Sequence, residues 1–193
     1  MNYLAHFHLA GTNENYIVGA LLGDFVKGSL AGSELPAEIN TGIKLHRQID
    51  GFTQRQPSVD KKTYDGQWRR YGGILEDVIS DYFLSRAWSD YHPRQLEQYA
   101  DDVYHILQTN NHHLNEKALN FAQRMSEYNL LCRYRDWSSI DRTLTSIGQR
   151  LKRDNPLHQA ADYLWPHRAQ LEDNFHADYP ALITFATQWR DNQ

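Results

Sequence analysis

Apolar residues recur at helical spacing along almost the whole chain, and no stretch alternates convincingly with period two. Tyr16, Ile17, Ala20, Leu21, Phe25 and Val26 form one broad stripe. Ser33 and Pro36 open a second helix, since proline is tolerated in a first turn. Its face carries Ile39, Ile43, His46 and Asp50, with Leu45, Ile49 and Phe52 beside it. The pattern predicts further helices over 58–70, ended by Gly72-Gly73, and over 74–88. Another enters at His92-Pro93 and carries Leu96, Tyr99, Val103 and Leu107; four more run over 116–128, 138–151, 156–175 and 179–189. No hairpin dipeptide separates β-branched runs. The expected fold class is all-α, one helical bundle over 1–193, with the polar run from Thr109 to His113 its only candidate joint.

At 193 residues the chain can bury a substantial core without disulfides, and its single cysteine, Cys132, forms none within the chain. No apolar run approaches the roughly 18 residues of a membrane span, and the amino terminus lacks the basic-then-apolar order of a secretory signal. These features predict a cytoplasmic protein with no membrane partner. A net charge of −4 argues against a broad nucleic-acid footprint. Between Lys27 and Arg70, however, eight basic residues face five acidic ones, a local excess suited to a phosphate or an acidic protein, or simply to solvated helix faces. Aromatic residues make up 12%, so several helices are expected to pack through large rings.

Charged residues set inside these apolar helices are the candidates for chemistry. In Leu45-His46-Arg47-Gln48-Ile49-Asp50, and again between Asp77 and Asp81, two ligand-type side chains stand four residues apart. On a helix that puts them on one face, Cβ atoms about 5–6 Å apart, within the span of one divalent cation. Asp24 is another acid in an apolar stripe. Uncompensated charge in such surroundings is costly, and a cation removes the cost. The candidate ligands are His6, His8, Asp24, His46, Asp50, Asp77 and Asp81; without a thiolate, the set favours Mn²⁺, Mg²⁺, Fe²⁺ or Zn²⁺. Lys27, Arg47 and Arg86 lie close to these acids in sequence and suit a phosphate ester, although surface ion pairs would use the same residues.

Other chemistries find little support. No nucleophile elbow, P-loop or dinucleotide fingerprint occurs, and Gly19-Ala20-Leu21-Leu22-Gly23 reads as close helix packing. His112-His113 reads as exposed loop, and His105, on an apolar face, as a core histidine. His158, His167 and His176 recur every nine residues and so face alternately opposite ways.

Four separated motifs resemble the bacterial acyl carrier protein phosphodiesterases: residues 1–10, then Gly23-Asp24-Phe25-Val26-Lys27-Gly28, then 42–50, then 77–88 continued by Arg133-Tyr134-Arg135-Asp136. The likeness runs in order to about residue 136 and is looser beyond. It implies an all-helical, divergent HD-type metal phosphohydrolase that removes the 4′-phosphopantetheine arm from holo acyl carrier protein, usually with Mn²⁺. It implicates His6, Asp24, His46, Asp50, Asp77 and Asp81: metal at His6, Asp24, His46, Asp50 and Asp77, proton handling by Asp24, Asp81 or His6, and phosphate contacts from Lys27, Arg47 and Arg86. The chain departs from the pattern in having no His-Asp dipeptide, and in placing Tyr82 after the second aspartate, where relatives often have histidine. A hydrolase of a nucleotide or another small phosphodiester would use the same ligands, and a non-enzymatic helical binding protein would use none of them.

Overall fold

The structure, a computed structural model, describes residues 3–55 and 64–193. Every regular element among them is helical. Six come first: α1 (Tyr3–Ala10), α2 (Glu14–Phe25), α3 (Ala37–Arg55), α4 (Gly72–Arg86), α5 (Trp88–Tyr91) and α6 (Leu96–Thr109). Then follow α7 (Glu116–Glu127), α8 (Leu130–Arg133), α9 (Trp137–Arg150), α10 (Ala160–Leu164) and α11 (Arg168–Asp191), with short 3₁₀ turns between. No described helix is long and apolar enough to cross a membrane.

α1 is the hub. Leu4, Ala5, His6, Phe7, Leu9 and Ala10 are all buried, so it is apolar on every side and lies inside the bundle. Its free N–H groups at Leu4 and Ala5 donate to the two oxygens of Asp81 from α4, at 2.9 and 3.0 Å. At its other end Arg190 of α11 donates to the Leu9 carbonyl. Both termini of an eight-residue helix are thereby satisfied by side chains far away in sequence.

α2 starts where Asn13 accepts from the backbone of Asn15 and Tyr16, an N-cap worth about 1 kcal/mol. It crosses α3 in backbone contact: a Cβ at Gly19 would stand 2.5 Å from the Ile39 carbonyl oxygen and 2.6 Å from the Gly42 Cα. One turn further, a Cβ at Gly23 would fall 2.2 Å from the His46 ring. Glycine at these two positions lets the helices close around a buried imidazole. Large rings join the layers as expected, with Phe52 on Phe185 at 4.4 Å and Tyr82 on Trp137 at 5.1 Å.

Some expectations are corrected. The C-terminal break falls at Pro166, in the 3₁₀ turn before α11, and α11 then continues through Pro180. Pro180 removes the bond to the His176 carbonyl, but both residues are exposed, so water can solvate that oxygen. His105 is exposed, because Val103, Tyr104 and Leu107 already define the buried face of α6. The helix predicted over 58–70 lies partly outside the described residues; its described end, Gly66–Tyr71, is 3₁₀.

Candidate metal centre

Two helices bring two imidazoles and a carboxylate together, and a third adds a further acid nearby. His6 comes from α1, His46 and Asp50 from successive turns of α3, and one ligand atom of each lies within 4.8 Å of the others. His6 Nε2 is 3.2 Å from Asp50 Oδ1, and His46 Nε2 is 3.4 Å from Asp50 Oδ2. Asp24, on α2, reaches to 3.9 Å of His46 Nε2. A cation about 2.0–2.2 Å from each donor sets donor separations of roughly 3–4.2 Å, the range seen here.

The chemistry of the histidines fits the same purpose. The His46 Nδ1 lies 2.8 Å from the Ala20 carbonyl oxygen, which can only accept, so Nδ1 carries a proton and Nε2 is the nitrogen turned toward Asp50. His6 is buried and stacked on His46 at 3.8 Å, and neither of its ring nitrogens has a hydrogen-bond partner among the described residues. Its Nε2 is near Asp50 but off the line that an N–H···O bond requires. Such an orphaned imidazole is costly unless something shares its lone pair. Burial, helped by His46, pulls the His6 pKa down to about 3, keeping it neutral and ligand-ready. Burial would raise Asp50, but the two imidazoles outweigh it and hold this carboxyl well below the usual range.

The other expected residues divide into near and spent. Asp77 opens onto the same cavity as Asp50 and meets solvent there. Burial by the surrounding protein still raises its pKa, with Asp50 and Asp24 adding to the push. Asp81 is corrected: fully buried, with both oxygens taken by the start of α1, it positions the helix that carries His6 and does not reach the cluster. Arg47 is also committed elsewhere, donating to the Val26 and Gly28 carbonyls at 2.7 and 2.8 Å and thus pinning the turn after α2. Arg86 lies over the Tyr82 ring at 5.4 Å. Lys27 is exposed, three residues beyond Asp24.

His8 points away from the cluster, as its two-residue offset from His6 requires on a helix. Its Nδ1 pairs with the Tyr179 hydroxyl at 2.8 Å. What the residue pattern did not reveal is the framework: the Ala20 carbonyl that sets the His46 tautomer, and Gly23, whose missing side chain makes room for the ring. A cavity of about 430 Å³ leads away from Asp50 and Asp77 between α3, α4 and α11.

Comparison with known proteins shows the family. The profile of the family "Acyl carrier protein phosphodiesterase" matches residues 1–182. The chain belongs to that family. Among its relatives, an acyl carrier protein phosphodiesterase of Escherichia coli O157:H7 is 33% identical over 195 residues, covering 97% of this chain and 98% of its own. One from Klebsiella pneumoniae (strain 342) is 33% identical over 193 residues, covering 96% and 97%. The family likeness thus extends well past residue 136, into the tail that the motifs left loose. No solved structure matches the chain.

His8 gives a pH prediction independent of the cluster. Burial, with His92 nearby, lowers its folded pKa to about 4, while the unfolded value stays near 6.5. Between these values the unfolded chain binds the proton and the folded protein does not, so the stability from His8 is lost as pH falls. From pH 7 to pH 5 the loss is about 2 kcal/mol. Burial lifts Asp81 and Glu76 to about 7, and they act oppositely over the same window. The readable quantity is therefore a difference: the stability gap between wild type and His8→Gln should shift by about 2 kcal/mol against wild type between pH 7 and pH 5, as measured by urea unfolding.

Proposed function

We propose that this protein is a metal-dependent phosphodiesterase that hydrolyses the bond between 4′-phosphopantetheine and serine in holo acyl carrier protein. Its products are apo carrier protein and 4′-phosphopantetheine. One observation carries the reading: two imidazoles and a carboxylate from two helices converge at ligand separations, in a member of a family named for this activity.

His6, His46 and Asp50 would hold a divalent ion, with Asp24 and Asp77 completing the set. We favour Mn²⁺, with Mg²⁺, Fe²⁺ or Zn²⁺ compatible with the same donors. When bound, the ion supplies Lewis acidity toward a phosphoryl oxygen and acidifies water. Asp24 is half-exposed and can exchange protons with solvent, so it takes the proton of the attacking water or returns one to the departing serine oxygen. Attack at phosphorus is in line, and the P–O(serine) bond breaks. We place exposed Lys27, three residues beyond Asp24, beside the phosphate, with Arg47 shaping the turn that carries it and Arg86 kept as a further phosphate contact. Exposed Lys44, Arg69 and Arg70 supply contacts for an acidic carrier protein, so docking weakens with salt. Lys61 and Lys62, in the same basic stretch, lie outside the described residues.

The HD-type kinship belongs to this proposal too: His46 and Asp50, one turn apart, stand in for an adjacent His-Asp pair. We likewise treat the chain as one catalytic domain working in the cytoplasm, with neither nucleic acid nor membrane as partner.

The test is direct. Protein freed of metal by chelation is incubated with holo carrier protein, with and without Mn²⁺, and the carrier is weighed by mass spectrometry. Loss of the arm should require the ion. Hydrolysis of cyclic or linear nucleotides alone would favour the small-phosphodiester reading, and metal content far below one ion per chain would favour a binding module.

A further inference from the structure

We infer that the cavity between α3, α4 and α11 receives the pantetheine arm, with the Tyr64 hydroxyl as a donor to an amide carbonyl of that arm. The inference rests on the hydrolase reading above and names the part of the substrate that the deep side of the site reads.

Asp50 belongs to both features: it lies in the imidazole cluster and it lines the cavity. A phosphate held at the cluster therefore has this space on one side. The volume, about 430 Å³, falls within the roughly 300–1,000 Å³ of small-molecule sites. Phe83, Phe175, Leu171 and Leu182 provide apolar walls suited to methylene and gem-dimethyl groups.

The polar groups decide the class of occupant. Thr53 and Ser80 donate to carbonyls of their own helices, and Tyr179 pairs with His8, so these three hydroxyls are committed. Tyr64 is different: it is 3% exposed, lines the cavity, and its hydroxyl has no hydrogen-bond partner among the described residues. Burying such a group unsatisfied costs about 1–3 kcal/mol, and a carbonyl oxygen in the cavity would remove that cost. Gly72 admits the ring there, since a Cβ at that position would come within 3.1 Å of it. Asn174 accepts from Gln170, which leaves its own N–H groups to donate. Tyr64 and Asn174, set beside the apolar walls, offer donors to a chain bearing two amides, and Gln54 and Arg69 also line the cavity. A further phosphate would meet Glu76, Asp77 and Asp178 there, which outnumber Arg69 among the described lining residues. The arm ends in a neutral thiol, which those acids do not repel. With the arm directed inward, the serine side of the phosphodiester faces half-exposed Asp24 and solvent.

Pantetheine, which lacks the phosphate, is the probe. Its binding to the metal-loaded protein is followed by saturation-transfer NMR, and the KM and kcat for holo carrier protein are measured alongside. Tyr64→Phe should weaken pantetheine binding and raise KM by about five- to tenfold, with kcat within twofold of wild type. Leu182→Trp, which fills the chamber, should abolish pantetheine binding while Mn²⁺ titration still gives the wild-type affinity. Tyr64→Phe preserves ring and volume, so it decides the matter if the bulkier variant misfolds. Wild-type turnover of holo carrier protein with no pantetheine binding, or with both measures unchanged in Tyr64→Phe, would overturn the chamber and leave the hydrolase reading standing. Pantetheine binding without any release of the arm would do the reverse.

Discussion

Asp50→Asn is expected to lower Mn²⁺ affinity by at least about 100-fold and bring hydrolysis of holo carrier protein down to background. Outer partners that merely orient a ligand cost 10–100-fold when removed, and Asp50 stands between both imidazoles. Asparagine keeps the volume but has no anionic oxygen to offer. In metal-free protein the change also removes the carboxylate that the two imidazoles keep ionised, so the apo variant should be less stable than apo wild type, and each protein serves as its own baseline. The informative readout is linkage. Mn²⁺ at 100 times its dissociation constant should stabilise wild type by about 2.7 kcal/mol and raise its melting temperature. The Asp50→Asn protein should show no such rise. A melting temperature in wild type that ignores Mn²⁺, or a variant that responds like wild type, would remove the basis for a metal centre at these three residues.

How much of this was legible in the residues depends on whether a signal was local. The amphipathic helices α3, α6, α7 and α9 show their apolar faces at 3.6-residue spacing, and the extents of α7 and α9 follow from it to within a residue. The pair His46 and Asp50 was legible for the same reason: both sit on one face of a strongly periodic helix. α1 was not read as a helix, because eight residues that are apolar on all sides carry no periodicity. That silence matters, since α1 carries His6. Its nomination as a ligand came from its residue type and from a motif, not from a reading of structure. The error over Asp81 has a related cause. Spacing of four from Asp77 is equally good for sharing a cation and for capping a buried helix, and only the tertiary arrangement shows that the carboxylate meets Leu4 and Ala5. Arg47 repeats the lesson, as adjacency to His46 in sequence turns it about 100° away around α3 toward the turn after α2. At Pro180 the local rule failed for a different reason: a proline ends a helix only where the freed carbonyl has nowhere to go, and here it meets water.

Gly23→Ala should be the added methyl on α2 that disturbs His46 most directly. The added carbon would lie 2.2 Å from Cγ, 2.4 Å from Cδ2 and 2.7 Å from Nδ1 of His46. The ring has no easy retreat. Its Nδ1–H is held by the Ala20 carbonyl and its face lies against His6. Separating α2 from α3 is no easier, because the two backbones already touch one turn away at Gly19 and Gly42. Overpacking of this kind costs about 1–3 kcal/mol, or several degrees of melting temperature for a chain this size. The ligand suffers more than the fold: once His46 turns, Nε2 no longer points at Asp50, and Mn²⁺ affinity should fall more than tenfold. Gly73→Ala is the matched control, since nothing lies within 4 Å of its added carbon. Alanine also favours α4 by up to about 1 kcal/mol, so that variant should melt no lower than wild type and bind Mn²⁺ normally. If Gly23→Ala behaved like Gly73→Ala in both calorimetry and metal titration, His46 would not be confined as described, and its role in holding the ion would need another source of order.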